Sequence, residues 1–88
     1  MPLHPQLALV GRNIRRLRER RALSQENFAL EAGLARSYFS GIERGHRNLA
    51  ALNLIKIAAA LECEVGDLFP PVKDLLQTRV AQKRRPQK

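Results

Sequence analysis

Apolar residues recur along this chain at helical spacing, and no run reads as a strand by alternation. Leu7, Val10, Ile14 and Leu17 follow at intervals of three and four, lining one face of a helix. The stripe predicts a first helix over 6–20, entered after Pro5, with Arg12, Arg15, Arg16 and Arg20 off the stripe. A second helix is predicted over 25–32. Ser24 can accept a free N–H of its first turn, Leu23 and Phe28 have the spacing of a hydrophobic staple, and Gly33 can take the left-handed cap conformation. Asn27 at the third helical position leaves the capping box incomplete. A third helix follows at once over 36–44, stopped by Gly45, with Leu34 and Phe39 repeating the staple spacing.

A fourth helix, over 51–61, is apolar on most sides. Leu54, Ile57, Ala58 and Leu61 form one stripe, and Leu52, Ile55 and Ala59 form a second. Such a helix must be covered on more than one face, and in a short chain the second face is expected to meet another subunit. Val65, Leu68 and Phe69 predict a short fifth helix closed by Pro70 and Pro71. Val72, Leu75, Leu76 and Val80 predict an extra, amphipathic C-terminal helix, and the tail from Lys83 to Lys88 is expected to be mobile. The reading is all-α: a compact five-helix domain over 6–69 and a C-terminal extension with a basic tail over 70–88.

The second and third helices, joined by a tight turn containing Gly33, have the helix-turn-helix arrangement. Turning the third helix by about 100° per residue separates two sides. Arg36, Ser37, Ser40, Gly41 and Arg44 share one arc, Ala35, Phe39 and Ile42 lie opposite, and Tyr38 and Glu43 mark the borders. One side is a core ridge; the other is short, polar and cationic, the kind of face a DNA major groove admits. Arg36 is placed to take guanine O6 and N7 together, Ser37 and Ser40 can donate or accept, and Gly41 is expected to let the backbone come close. Gln25 opens the second helix where an anion binds well, so a phosphate contact is expected there. Tyr38, Arg44, Arg47 and Asn48 surround the face as further phosphate contacts, and Glu43 is read as structural. The competing reading of each residue taken singly is an ordinary wet helix surface.

Charge supports a polyanionic partner. Among 88 residues, 16 Lys and Arg face 8 Asp and Glu, a net charge of +8. The excess comes in blocks, basic over 1–21, 36–56 and 75–88 and acidic over 22–35 and 57–74. Blocked charge marks a surface more often than uniform charge does. Cys63 is the single cysteine, and Cys63, His4 and His46 lie in no metal-ligand spacing, so neither a disulfide framework nor a metal module is expected. The longest uninterrupted apolar run, Ile57–Leu61, is far short of a membrane span. With no charged segment ahead of a long apolar stretch at the N-terminus, a cytoplasmic protein is expected.

Over about 10–69 the chain resembles the Cro and repressor type of helix-turn-helix domain, the xenobiotic-response-element family. The carriers are Leu23, Ser24, Gln25 and Glu26 with Phe28 and Ala29, then Ala32 and Gly33, the run from Arg36 to Gly45, Arg47 and Asn48, Leu54 to Ala58, Leu61, and Asp67 to Phe69. The resemblance implies five helices, homodimers on palindromic operators and control of transcription. It places a polar residue at Gln25, base-reading positions at Arg36, Ser37 and Gly41, and a structural ion pair between Arg18 and Glu43. Since Gly41 has no side chain, reading there is lost or passes to Ser40. The run from Arg36 to Arg44 followed by Arg47 and Asn48 is most similar to controller proteins of restriction–modification systems. Ala35 and Ala50 depart from the family pattern, standing where a polar cap is usual, and the tail after Phe69 lies outside the resemblance.

The expectation is therefore a DNA-binding transcriptional regulator, a homodimer reading double-stranded DNA, with RNA polymerase as a further candidate partner and no membrane, cofactor or metal. Leu52, Ile55, Val65, Leu68 and Phe69 are the expected dimer surface, with an intrachain core as the competing reading for about half of them. Three rivals stand beside it. An antitoxin or other protein-interaction module would use the same fold. A non-specific binder of RNA or membrane has little to stack with, since the chain holds three Phe and one Tyr. An enzyme would need a positioned His or a carboxylate pair that the sequence does not supply.

Overall fold

The computed structural model describes residues 4–83, with side chains described as far as Gln77. Five α-helices and one 3-10 turn follow in order: α1 Pro5–Arg20, α2 Gln25–Ala32, α3 Arg36–Glu43, α4 Ala51–Leu61, the turn Val65–Leu68, and α5 Val72–Lys83. No strand occurs among the described residues. Helix starts and stops follow local chemistry. Pro5 opens α1, where its missing N–H has no helical partner to lose. The Ser24 hydroxyl accepts from the Asn27 N–H at 3.0 Å and so caps α2. Ala35 and Ala50 precede α3 and α4 without any side-chain cap.

Each of the first four helices ends in the same reversal, with a left-handed residue and a pair of backbone bonds that take up its last carbonyls. After α2, Gly33 has φ 74° and Leu34 N–H donates to Ala29 O at 2.9 Å. After α3, Gly45 has φ 77° and His46 N–H donates to Gly41 O at 2.8 Å. The ends of α1 and α4 use Ala22 and Glu62, each at φ 58°, where a side chain makes the conformation unfavourable by about 1–2 kcal/mol.

The core lies where these helices converge. Val10 and Ile14 of α1, Phe28 and Ala29 of α2, Phe39 and Ile42 of α3, and Ile57, Ala58 and Leu61 of α4 are buried. The rings of Phe28 and Phe39 sit 4.9 Å apart at 42°, joining the two helices of the motif. Leu68 is 0% exposed and belongs to this core. The expectation that it faces a second subunit is thus corrected: the 3-10 turn packs on both α4 and α1 and drives Leu68 inward. The expected fifth helix is this single turn, and α3 stops one residue earlier than expected, with Arg44 as its cap.

Two residues of α1 bring neighbouring backbones close. A Cβ on Gly11 would lie 2.3 Å from Ile42 O and 2.6 Å from Glu43 O, so α1 and the end of α3 touch main chain to main chain. The buried Asn13 amide donates to Asp67 O at 3.1 Å and Leu68 O at 2.9 Å, while its oxygen accepts from Arg16 at 2.6 Å. That arrangement satisfies the carbonyls at the end of the 3-10 turn. The C-terminal helix also folds back: Gln6 donates to Leu75 O at 3.1 Å, and Leu75 packs on the core while Val72 and Leu76 stay exposed. The Val80 side chain and residues 84–88 of the basic tail lie outside the described residues.

The α1–α3 approach sets a stability test. Ala is the better helix former by about 1 kcal/mol, yet Gly11→Ala drives a methyl into two carbonyl oxygens that cannot move without moving α3. A net loss of about 2 kcal/mol or more is expected from such overpacking. Urea unfolding measures it, and an unchanged or higher midpoint would mean the two backbones are not in contact.

Candidate nucleic-acid interface

α3 is held by its back and its end. Phe39 and Ile42 anchor the apolar side at 0% and 1% exposure. At the C-terminal end the Glu43 carboxylate is buried and receives three donors: Arg18 Nε at 2.7 Å, Arg18 Nη2 at 3.1 Å and Gln25 Nε2 at 2.8 Å. Arg18 spends a further N–H on Leu23 O at 2.6 Å, in the turn between α1 and α2. One carboxylate therefore ties together three helices. The hydrogen bond to Glu43 outweighs burial and pushes the Arg18 guanidinium above its ordinary value, so it stays charged wherever the protein is folded. The ion pair expected from the resemblance is thus present and bidentate.

The opposite side of α3 is wet. Arg36, Ser37 and Arg44 are exposed and Ser40 is half-buried. With no side-chain cap at Ala35, the first N–H groups of α3 are left to solvent or to a ligand. Gly41 differs from the expectation of an open backbone: it is buried, because the Arg47 side chain runs across it with Cγ 2.8 Å from where a Cβ would stand.

The loop that follows is fastened to α3 through Tyr38. Its hydroxyl accepts from Asn53 Nδ2 at 2.8 Å and lies 3.5 Å from Asn48 O, and the Arg47 guanidinium sits 5.8 Å from the ring centroid. Asn48 itself is exposed, its oxygen accepting the Leu49 N–H at 3.0 Å. Desolvation, with the Arg44 charge nearby, lowers the pKa of the His46 imidazole from its ordinary value. The structure therefore brings Arg36, Ser37, Ser40, Arg44, Tyr38, Arg47 and Asn48 onto α3 and the loop after it. Gln25 stands beside the end of α3, with its amide already donating to Glu43 rather than wholly free for a phosphate. Asn53 and Gln25's second role were not legible in the sequence, since each depends on a partner at least fifteen residues away.

The family model described as helix-turn-helix matches residues 14–68, which include α2, α3 and α4 entire. This chain belongs to the helix-turn-helix family. Among its relatives, the control protein C.MunI of a Mycoplasma species is 42% identical over 64 residues, 72% of this chain and 86% of that protein. The restriction–modification controller protein C.AhdI from Aeromonas hydrophila superposes with a TM-score of 0.74 at 44% identity, covering 75% of this chain and all of that one. The controller protein C.Esp1396I, solved as a tetramer in complex with its natural 35-base-pair operator, superposes at 0.68 with 31% identity over 84% of this chain and 93% of that one. The all-α fold expected from the sequence is the helix-turn-helix fold that these proteins share.

Of the expected dimer residues, Leu52 is 64% exposed, Ile55 56%, Phe69 38% and Val65 37%, on α4 and the 3-10 turn packed against it. No helix among the described residues is long and apolar enough to cross a membrane.

The Glu43 junction makes a measurable claim. Glu43→Gln removes the negative charge and leaves Arg18 buried without its counter-ion, a change worth about 3–5 kcal/mol of stability. The paired change Arg18→Met with Glu43→Leu, which removes both charges, is expected to lose less than Glu43→Gln alone in urea unfolding. The reverse order would show that the junction is not a buried charge pair.

Proposed function

We propose that this helix-turn-helix protein regulates transcription as a homodimer on a palindromic operator, in the manner of a restriction–modification controller. It would act in the cytoplasm, with RNA polymerase as the partner met at its promoter. The observation that carries the reading is the division of α3: Phe39 and Ile42 are sunk in the core while Arg36, Ser37 and Arg44 face outward without a bulky aliphatic among them. An eight-residue helix is about 12 Å long, short enough to enter one major groove end-on. Arg36, at its first turn, supplies the two donors that guanine O6 and N7 accept, with Ser37 and Ser40 beside it. Gln25, Tyr38, Arg44 and Asn48 serve as backbone contacts that fix the register of α3 on the duplex.

A homodimer places two such helices on successive turns of one DNA face, about 34–36 Å apart. The exposed Leu52, Ile55, Val65 and Phe69 are the proposed joining surface. The binding step requires no covalent chemistry, and the relatives named above are regulators rather than enzymes.

Selection of duplexes from a random pool at fixed salt is expected to return one inverted repeat. Arg36→Ala should then flatten preference at one base pair per half-site, about 1–3 kcal/mol of discrimination. An equal loss on every sequence would remove Arg36 from base reading, and a pool without a shared sequence would remove the regulator reading altogether. For the joining surface, Ile55→Asp is expected to shift the sedimenting species from dimer to monomer; a dimer that survives it would place the interface elsewhere.

A further inference from the structure

Leu9, Arg12, Asn13 and Arg16 recur at helical spacing along one side of α1, and they form one wall of a groove of about 500 Å³. The opposite wall is the 3-10 turn at Gly66 and Asp67 followed by Phe69, Pro70 and Pro71, with Asp74 of α5 at its end. The width of the groove is fixed before anything enters it. Asn13 ties the walls together through Asp67 O and Leu68 O, and two consecutive prolines hold the far side at a set φ. Turning α1 by about 100° per residue puts Arg12, Arg16 and Leu9 about 100°, 140° and 160° away from Gly11. Gly11 is where α1 touches α3, so the groove opens away from that helix. A duplex on the outward face of α3 does not account for these two guanidiniums.

We propose that this groove binds a small organic anion, a single carboxylate carried on an apolar body such as an aryl-alkanoate. The Arg12 guanidinium is exposed, and no ion pair or hydrogen bond engages its side chain among the described residues. Arg16 Nη2 donates to Asn13 Oδ1 at 2.6 Å, which anchors that guanidinium at the rim and leaves its other N–H groups for a ligand. Two guanidiniums one turn apart on a helix face suit the two oxygens of a carboxylate. Leu9, Phe69, Pro70 and Pro71 then offer an apolar surface to the rest of the molecule. The volume falls in the range of small-molecule sites, about 300–1,000 Å³. The acidic residues decide against a larger polyanion. Asp67 and Asp74 stand on the second wall, where they repel a nucleic acid or acidic peptide running on through the groove and admit one negative charge beside α1. Asp67 is itself committed to the turn, its Oδ2 accepting the Glu64 N–H at 3.0 Å. The inference goes beyond the DNA-binding reading and does not depend on it, although Phe69 belongs also to the proposed joining surface.

The experiment titrates the full chain, without DNA and at one salt concentration, with sodium hydrocinnamate, following the backbone and arginine Nε–H signals by NMR. Saturable shifts are expected at Arg12, Arg16, Gly66 and Phe69, with a dissociation constant on the order of a millimolar for so small a probe. Hydrocinnamamide, which has the same body without the charge, is expected to bind about tenfold more weakly or worse. Arg12→Gln is expected to weaken the carboxylate about fivefold and the amide hardly at all. Its melting midpoint should stay near that of the unaltered chain, since the side chain it replaces is exposed. Equal binding of acid and amide, full affinity in Arg12→Gln, or shifts centred on Leu52 and Ile55 each overturns the proposal. So does a titration without saturable shifts. All of these results leave the reading of α3 standing, because no duplex takes part in the measurement.

Discussion

The buried Glu43 carboxylate is what the position of α3 depends on. Its two oxygens accept from a guanidinium on α1 and an amide on α2, so the C-terminal end of α3 is set against both helices at once. A buried ion pair is not a strong source of stability, because removing two charges from water offsets most of what their attraction returns. What it supplies is intolerance of misplacement. A shift of α3 by an ångström would strand a charge in the core, whereas sliding Phe39 against Phe28 would lose only part of a contact. Gly11 makes the same point in main-chain terms, since Ile42 O and Glu43 O rest where its Cβ would be. The outward face of α3 is therefore aimed by features on its hidden side.

How much of this was legible in the sequence follows from the range of each interaction. Ser24, Gly33 and Gly45 act on their own helix ends, and the spacing of Phe39 and Ile42 sets their burial, so α2 and α3 could be bounded closely from the residues alone. Asn13 and Gly11 gave no such signal. Within α1 they read as a polar residue and a poor helix former, and their purpose lies in Leu68 O, Ile42 O and Glu43 O, which only the folded chain brings near. Leu68 was misplaced for a related reason: Val65, Leu68 and Phe69 look alike as apolar residues, and the 3-10 turn sends one inward and leaves two partly open. Of the site, the wet face of α3 was legible, while the covering of Gly41 by Arg47 was not.

Charge counting was the least direct guide. The basic block over 1–21 looked like a surface for a polyanion, but several of its arginines are occupied within the molecule. Arg18 is buried on Glu43, Arg21 donates to Ala60 O at the end of α4, Arg16 bonds Asn13, and Arg15 pairs with Glu19 in an exposed bridge of small worth. A guanidinium with five donors serves equally well as a helix cap, a strut or a groove reader. Net charge draws the protein toward DNA; which arginines face outward is decided by the burial of Phe39, Ile42 and Glu43, and on α3 and its cap those are Arg36 and Arg44.

The same logic carries from one subunit to two. Leu52 and Ile55 project from the side of α4 away from the Ile57 and Ala58 core, and Val65 and Phe69 from the turn that packs on α4. A domain this small leaves little apolar area inside, so covering these side chains with a second copy adds burial that the monomer lacks. Because α4 packs on α2, and α2 is bonded to α3 through Gln25 and Glu43, a joint made on α4 fixes the separation of the two α3 faces with few soft connections between. In the proposed dimer, the spacing of half-sites on DNA is a property of the protein core. A core substitution that tilts α4 on α2 would alter which operators fit, without touching a single residue that meets a base.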